Sequence, residues 1–171
     1  MIDTLMQQDL GRAKNALQNY LIRKLLIPKV YLDAEFNGVQ IDVLAIDRAG
    51  VGDVHAVLMV LDDHNGEEII WKVLDYVRRF RSFPSHYRYV AAVCGPPNPR
   101  KAHECCEESA IRESLAEDGV GRVGILYVDM TEDDPKVQVL LKAERFRSSQ
   151  QIIELADRFV AEHTANWEVR E

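Results

Sequence analysis

Residues 29–62, KVYLDAEFNGVQIDVLAIDRAGVGDVHAVLMVLD, contain three apolar segments that are separated by two turn signals. Asn37-Gly38 is the first signal, and both of its residues tolerate the positive φ of a tight hairpin turn. A loop with two glycines, residues 47–53, is the second. The stretch therefore predicts a three-stranded antiparallel meander, with strands at 29–36, 39–46 and 54–61.

Helical and extended patterns flank the meander on both sides. Apolar residues at steps of three and four predict an N-terminal helix over residues 3–26, which Pro28 ends. After the meander, helices are predicted at 67–83, at 101–117 and after the capping signal Ser148-Ser149, and strands at 87–94 and 122–129. Residues 136–144 fit an edge strand better than a short helix, because their apolar residues alternate. This order predicts one α/β domain over residues 1–171, in which helices cover both faces of a mixed sheet.

The chain of 171 residues carries a formal net charge of −7, which opposes nonspecific attraction to phosphate and to anionic membranes. A nucleic-acid role therefore requires a local basic patch. The best candidate is a set of arginines interleaved with aromatic residues, Arg78, Arg79, Arg81 and Arg88. The same charges also suit a solvated helix end, where cations favour the helix dipole. The sequence leaves both interpretations open.

Cysteine usage and the length of the apolar runs bear on location. The three cysteines, two of them adjacent at Cys105 and Cys106, do not form the pattern of a disulfide framework and favour a reducing compartment. The apolar runs fall short of the roughly 20 residues that a membrane-spanning helix needs. We therefore expect a cytoplasmic protein without a membrane partner.

Two motifs and the order of elements carry a family resemblance. The strand GVQIDVLAID from Gly38 to Asp47 is similar to a strand of the restriction-endonuclease-like superfamily, the PD-(D/E)xK nucleases, in which an aspartate, here Asp42, binds a divalent metal. The stretch KVLDY is similar to the glutamine-x-x-x-tyrosine motif of the RecB-type branch, with Lys72 in place of glutamine. The resemblance implies a restriction-endonuclease-like mixed sheet, an antiparallel meander followed by helix-strand-helix-strand and flanked by helices.

The next strand departs from the nuclease pattern. Paired residue numbers have a constant sum in an antiparallel hairpin, and a loop centred on Gly50 places Asp42 opposite Leu58. Active members of the superfamily need an acid at about that position and a lysine two residues later, where this chain has Leu58 and Val60. A single aspartate holds Mg²⁺ poorly, because this cation needs several oxygen ligands. We therefore expect a degenerate site, no cofactor and no nuclease activity.

A migrated site is the alternative. Glu35, beside Gln40 in the first hairpin, is then the second metal ligand with Asp42, and Lys72 replaces the missing lysine around Mg²⁺. Three functions follow: a binding or scaffolding module in nucleic-acid processing or defence, an active Mg²⁺-dependent nuclease, or an acidic structural or inhibitory protein without a nucleic-acid role. The expected partners are nucleic acid, another protein or a second copy of the chain.

Overall fold

The computed structural model describes residues 2–47, 52–62, 66–80, 83–94, 113 and 122–168. Its elements in chain order are α1 (Ile2–Arg23), β1 (Lys29–Phe36), β2 (Val39–Ile46), β3 (Val54–Asp62), α2 (Gly66–Phe80), β4 (Tyr87–Cys94), β5 (Gly124–Asp129), β6 (Lys136–Leu141) and α3 (Gln150–Glu168). These helices and strands confirm the predicted ones apart from shifts at their ends. The predicted helix 101–117, which includes Cys105 and Cys106, lies outside the described residues except for Glu113, which is helical, and Arg81 also lies outside them.

The six strands form one mixed sheet in the order β1-β2-β3-β4-β5-β6. The β1/β2, β2/β3 and β5/β6 pairs are antiparallel, whereas β4 runs parallel to both β3 and β5. Parallel neighbours need a long crossover, and α2 provides the one between β3 and β4. The predicted α/β class, with a mixed sheet flanked by helices, is confirmed.

Turn chemistry sets the register of the meander. Asn37 and Gly38 have φ angles of 50° and 78°, as the tight β1/β2 turn requires. The β2/β3 ladder pairs Ile46 with Val54 and ends at Val43 and Val57. The predicted register is therefore correct, and the ladder ends one residue before it reaches Asp42 and Leu58.

Apolar side chains cover both faces of the sheet. The α1-side cluster joins Ala13, Leu17 and Leu21 of α1 to alternate residues of the central strands, among them Val57, Ala91 and Val93. The other face carries α2 through Val73, Leu74 and Val77, and α3 through Ile152, Leu155, Ala156 and Phe159. The helices therefore enclose the middle of the sheet, as parallel strands require. Among the described residues, the helices contain no stretch long and apolar enough to cross a membrane.

Candidate functional site

The alternation of side chains reverses once in the β1/β2 hairpin, at Asp33. Leu32 packs in the α1-side cluster, whereas Ala34 packs on the opposite face, in the α3-side cluster around Ile152 and Leu155. Residues two apart on a regular strand share a face, so this pair shows an irregularity between them. Asp33 itself has a φ of 52°, in the left-handed region that aspartate tolerates better than most residues.

Strand β2 reverses at the facing position. Val43 packs in the α1-side cluster, and Ile41 packs in the α3-side cluster, so the residue that breaks the alternation is Asp42. The ladder pairs Leu32 with Val43 and Ala34 with Ile41, which leaves Asp33 and Asp42 facing each other between these two pairs. Two carboxylates therefore lie at one irregular point of the hairpin.

The Asp42 carboxylate takes over a backbone hydrogen bond of β3. Its Oδ2 accepts from the Met59 N–H at 2.7 Å, beyond the point where the β2/β3 ladder ends. Burial raises the pKa of Asp42, the Met59 hydrogen bond and the charge of Lys14 lower it, and Asp33 raises it. The net effect is a raised pKa. This carboxylate thus replaces a missing ladder acceptor, because a buried N–H needs a partner.

Lys14 of α1 supplies the cation at this point. Its ammonium group pairs with the carboxylate of Asp33, and its charge also acts on Asp42. The resulting group contains two carboxylates and one lysine, and the ion pair already occupies one of the carboxylates. Within the part of the chain that the structure describes, there is no group of three histidine, cysteine, aspartate or glutamate side chains that could hold a metal ion.

The other two residues of the predicted migrated site lie apart from these contacts. Glu35 accepts a hydrogen bond from Gln40 Nε2 at 2.9 Å on the exposed hairpin, in the neighbourhood that the register predicts. Lys72 is half-buried on α2, which packs on the face of the sheet opposite α1. The charges that act on the pKa of Asp42 belong to Lys14 and Asp33, and those of Glu35 and Lys72 are not among them.

The positions expected to carry the acid and the lysine both point away from α1. Val60 is 2% exposed and packs in the cluster under α2. Leu58 is half-buried and packs beside the α3-side cluster, where it lines a cleft of about 320 Å³. Leu58 therefore contributes an apolar wall to a cavity.

This cleft, named here the Leu58 cleft, lies between the β1/β2 hairpin, the end of α2 and the start of α3. Its lining residues are Phe36, Asn37, Val39, Gln40, Leu58, Tyr76, Arg79, Phe80, Phe83, Pro84 and Gln151. They comprise aromatic and aliphatic side chains, three side-chain amides and one guanidinium. The described lining contains no carboxylate, although the whole chain has a net charge of −7.

The predicted basic patch divides into surface and core. Arg78 and Arg79 are exposed in the last turn of α2, and Arg79 pairs with Asp75 at 3.0 Å. Arg88 is 7% exposed, and its guanidinium lies 3.6 Å from the centre of the Phe146 ring. Burial lowers the pKa of Arg88 to about 10. The structure therefore assigns Arg88 to packing and leaves Arg78 and Arg79 as the described surface cations of this patch.

A second polar group, around His86, resembles a serine-histidine-aspartate triad in composition. The His86 ring bonds to Ser148 Oγ at 2.8 Å through Nε2, and its Nδ1 lies 3.8 Å from Asp53 Oδ1. However, Nδ1 accepts a hydrogen bond from the Val54 N–H at 2.9 Å. This bond places the proton on Nε2, which then donates to Ser148, whereas a triad needs Nε2 free to accept the serine proton.

The contacts of Asp53 and His86 connect the meander and the start of β4 to the segment that precedes α3. Arg145 donates two hydrogen bonds to Asp53 Oδ1, at 3.0 and 2.8 Å. Burial on its own raises the pKa of Asp53, but the hydrogen bonds and charge of Arg145, with smaller effects of two histidines, leave it below its ordinary value. The lowered pKa reflects a structural ion pair.

His55 lies on the α1 side of the sheet with little exposure. Its ring stacks on Tyr87 at 4.6 Å and on Tyr89 at 6.2 Å between centroids. Its Nδ1 is buried and has no hydrogen-bond partner among the described residues. Burial lowers the pKa of His55 to about 4, against the opposing effect of Asp53 and Asp47. The histidine is therefore neutral at physiological pH.

Comparisons with known proteins add little about function. No protein-family model matches the chain, and no curated protein matches it. Among solved structures, the chain is similar to the SPO1766 protein of unknown function from Silicibacter pomeroyi, with 12% sequence identity and a TM-score of 0.49. That match covers 93% of this chain and 86% of the other.

Proposed function

We propose that this chain is a catalytically degenerate member of the restriction-endonuclease-like superfamily that binds nucleic acid without cleaving it. The observation that carries the proposal is the structural hydrogen bond that the Asp42 carboxylate makes. This carboxylate accepts the Met59 N–H where the β2/β3 ladder has ended, and Leu58 is the next residue of β3 after that ladder. The sequence resemblance implies an acid at about the position of Leu58.

The arrangement of the sheet supports the fold part of the proposal. An antiparallel meander leads through α2 into β4, which runs parallel to β3, and helices pack on both faces. This is the order that the sequence resemblance implies. The motif aspartate also lies where β2 and β3 stop pairing, a point at which side chains of both strands can approach a ligand.

The surroundings of Asp42 weigh against metal-dependent cleavage. Mg²⁺ prefers near-octahedral coordination by oxygen and is bound through one or two carboxylates together with water and substrate phosphates. Asp33 and Asp42 are the two carboxylates at this point, but Lys14 pairs with Asp33. A metal at this point must compete with the Lys14 ammonium for Asp33 and share the Asp42 carboxylate with the Met59 N–H, which supports a stabilising role.

The exposed arginines and the Leu58 cleft support binding. Arg78 and Arg79 extend from the end of α2, and Arg79 also lines the cleft. Guanidinium groups bind phosphate, and aromatic side chains stack on bases regardless of sequence. Because the chain is acidic overall, we expect a small footprint and a strong dependence on salt.

Fluorescence anisotropy with a labelled single-stranded oligonucleotide at low salt tests the proposal. Arg79→Ala is compared with Arg23→Ala, since both arginines are exposed in the last turn of a helix and the two helices pack on opposite faces of the sheet. We expect Arg79→Ala to weaken binding and to reduce the salt slope by about one, with Arg23→Ala close to wild type. No binding at low salt would instead favour an acidic structural or inhibitory protein.

A further inference from the structure

We propose that the Leu58 cleft receives one unstacked nucleobase of a single strand, with the attached phosphate at Arg79. The inference rests on the proposed function and names the ligand of the same surface. It is carried by the shape of the cleft, by its side-chain chemistry and by its charge.

The cleft has the size and walls of a small-ligand site. Its volume of about 320 Å³ lies at the lower end of the roughly 300 to 1,000 Å³ found for ligand pockets. Phe36, Tyr76 and Phe83 provide aromatic surface, and Leu58 provides an aliphatic wall. A flat, largely apolar ring system is the ligand class that such walls bury best.

The polar groups of the cleft suit the edge of a base. Gln40, Gln151 and Asn37 bring side-chain amides to the lining, and an amide carries both donor and acceptor atoms. Gln40 Nε2 also donates to Glu35, so Gln40 contributes mainly its amide oxygen as an acceptor. A purely aliphatic ligand leaves such groups without partners when it displaces water, which costs binding free energy. A nucleobase carries donors and acceptors on its edge, so these amides favour a base over an apolar side chain of a protein partner.

The charge of the cleft favours a ligand with an anionic group. The described lining contains one guanidinium and no carboxylate. Arg79 is paired with Asp75, but the Arg79 side chain is 74% exposed, and exposed ion pairs contribute little to stability. A phosphate can therefore compete for Arg79, since bidentate contacts between arginine and phosphate are stronger than neutral hydrogen bonds.

Two neighbouring glutamines provide a matched test. Gln150 and Gln151 are both exposed in the first turn of α3, and only Gln151 lines the cleft. Gln150→Glu and Gln151→Glu add the same charge, and both suit a helix N-terminus. We expect Gln151→Glu to weaken binding of oligothymidylate about tenfold, as loss of one stacked base would, and Gln150→Glu to change it less than twofold.

The probes separate the two proposals. Wild type is titrated at low salt with oligothymidylate and with an abasic oligomer of the same length, and the inference predicts at least tenfold weaker binding of the abasic oligomer. Equal binding of the two oligomers, or equal effects of Gln150→Glu and Gln151→Glu, overturns the inference while nucleic-acid binding stands. No binding of either oligomer overturns both. Val39→Trp, at an exposed lining position, fills the cleft by an independent route and is expected to reproduce the loss.

Discussion

Acid destabilisation through His55 is the prediction for which the structure gives a magnitude. His55 is 8% exposed, stacked on two tyrosines, and has a pKa of about 4 in the folded chain, against an ordinary value of 6.5. The unfolded chain therefore takes up a proton below about pH 6.5 that the folded chain does not bind until about pH 4. Stability falls across that window as the pH is lowered, and His55 contributes no further change below it.

The size of the effect follows from the two pKa values. Each pKa unit corresponds to about 1.4 kcal/mol, so the whole window is worth about 3 kcal/mol, most of which is lost between pH 7 and pH 4.5. His86 and Asp53, whose pKa values are also lowered, act in the same direction, and Asp42, whose pKa is raised, acts against them. Asp42 is present in wild type and in a His55 variant alike and cancels in the comparison, whereas Asp53 and His86 interact with His55 and cancel only in part.

Urea denaturation of wild type and His55→Phe at pH 7, 5.5 and 4.5 measures the difference. Phenylalanine keeps a ring beside Tyr87 and removes the titrating group. We expect the free energy of unfolding of wild type to fall about 2 to 3 kcal/mol more than that of His55→Phe between pH 7 and pH 4.5. Parallel pH profiles, within about 0.5 kcal/mol, would refute the assignment of a neutral, desolvated His55.

Three further predictions concern stability. Asp42→Ala leaves the Met59 N–H without its acceptor and is expected to lower the free energy of unfolding by about 1 to 3 kcal/mol in chemical denaturation. Asp42→Asn keeps an acceptor and should cost clearly less. Equal losses of stability in the two variants would argue against a structural role for the carboxylate. Val60→Lys places an unpaired cation in the cluster under α2 and is expected to destabilise the fold by about 3 kcal/mol or more. Leu58→Glu, at the wall of the cleft, should be tolerated better. A lower melting temperature for Leu58→Glu than for Val60→Lys would contradict the assigned faces. Gly124→Ala brings a Cβ to 2.7 Å from Ala143 N and 2.8 Å from Tyr89 Cδ1. The strand must therefore shift, at a cost of about 1 to 3 kcal/mol in stability. An unchanged melting temperature would show that β5 has more room than the structure gives it.

Local signals were sufficient to predict the meander. Asn37-Gly38 specifies a tight turn by its own φ preferences, and the length of the 47–53 loop fixes how β2 faces β3. Both properties belong to residues close together in the chain. The register of the paired residues could therefore be obtained by counting, whereas the predicted pairing of Asp42 with Leu58 lies beyond the end of the ladder.

The pairing of Asp33 with Lys14 needed tertiary information. The register that places Glu35 near Gln40 also places Asp33 opposite Asp42, so the carboxylate pair could have been found from the sequence. The sequence has no comparable signal for Lys14, because its approach depends on how α1 lies across the sheet. The reversal of side-chain alternation at Asp33 is likewise visible only once both faces are packed.

Arg88 shows a second limit of sequence patterns. Its neighbours Tyr87 and Tyr89 make the stretch read as basic and aromatic, as in a nucleic-acid contact. In the sheet, β4 is a central strand covered on both faces, and Phe146, far away in sequence, lies against the Arg88 guanidinium. The Leu58 cleft also depends on contacts between residues far apart in sequence, since its walls come from the β1/β2 hairpin, α2 and α3.

The central claim is that this chain binds a nucleic-acid strand and leaves it intact. The most direct measurement incubates the protein with a labelled single strand at low salt with Mg²⁺ or Mn²⁺, then divides each sample between a native and a denaturing gel. The account predicts a shifted band on the native gel and a full-length strand on the denaturing gel, for wild type and for folded Asp42→Asn alike. Cleavage by wild type that Asp42→Asn abolishes, or the absence of any shift, would contradict it.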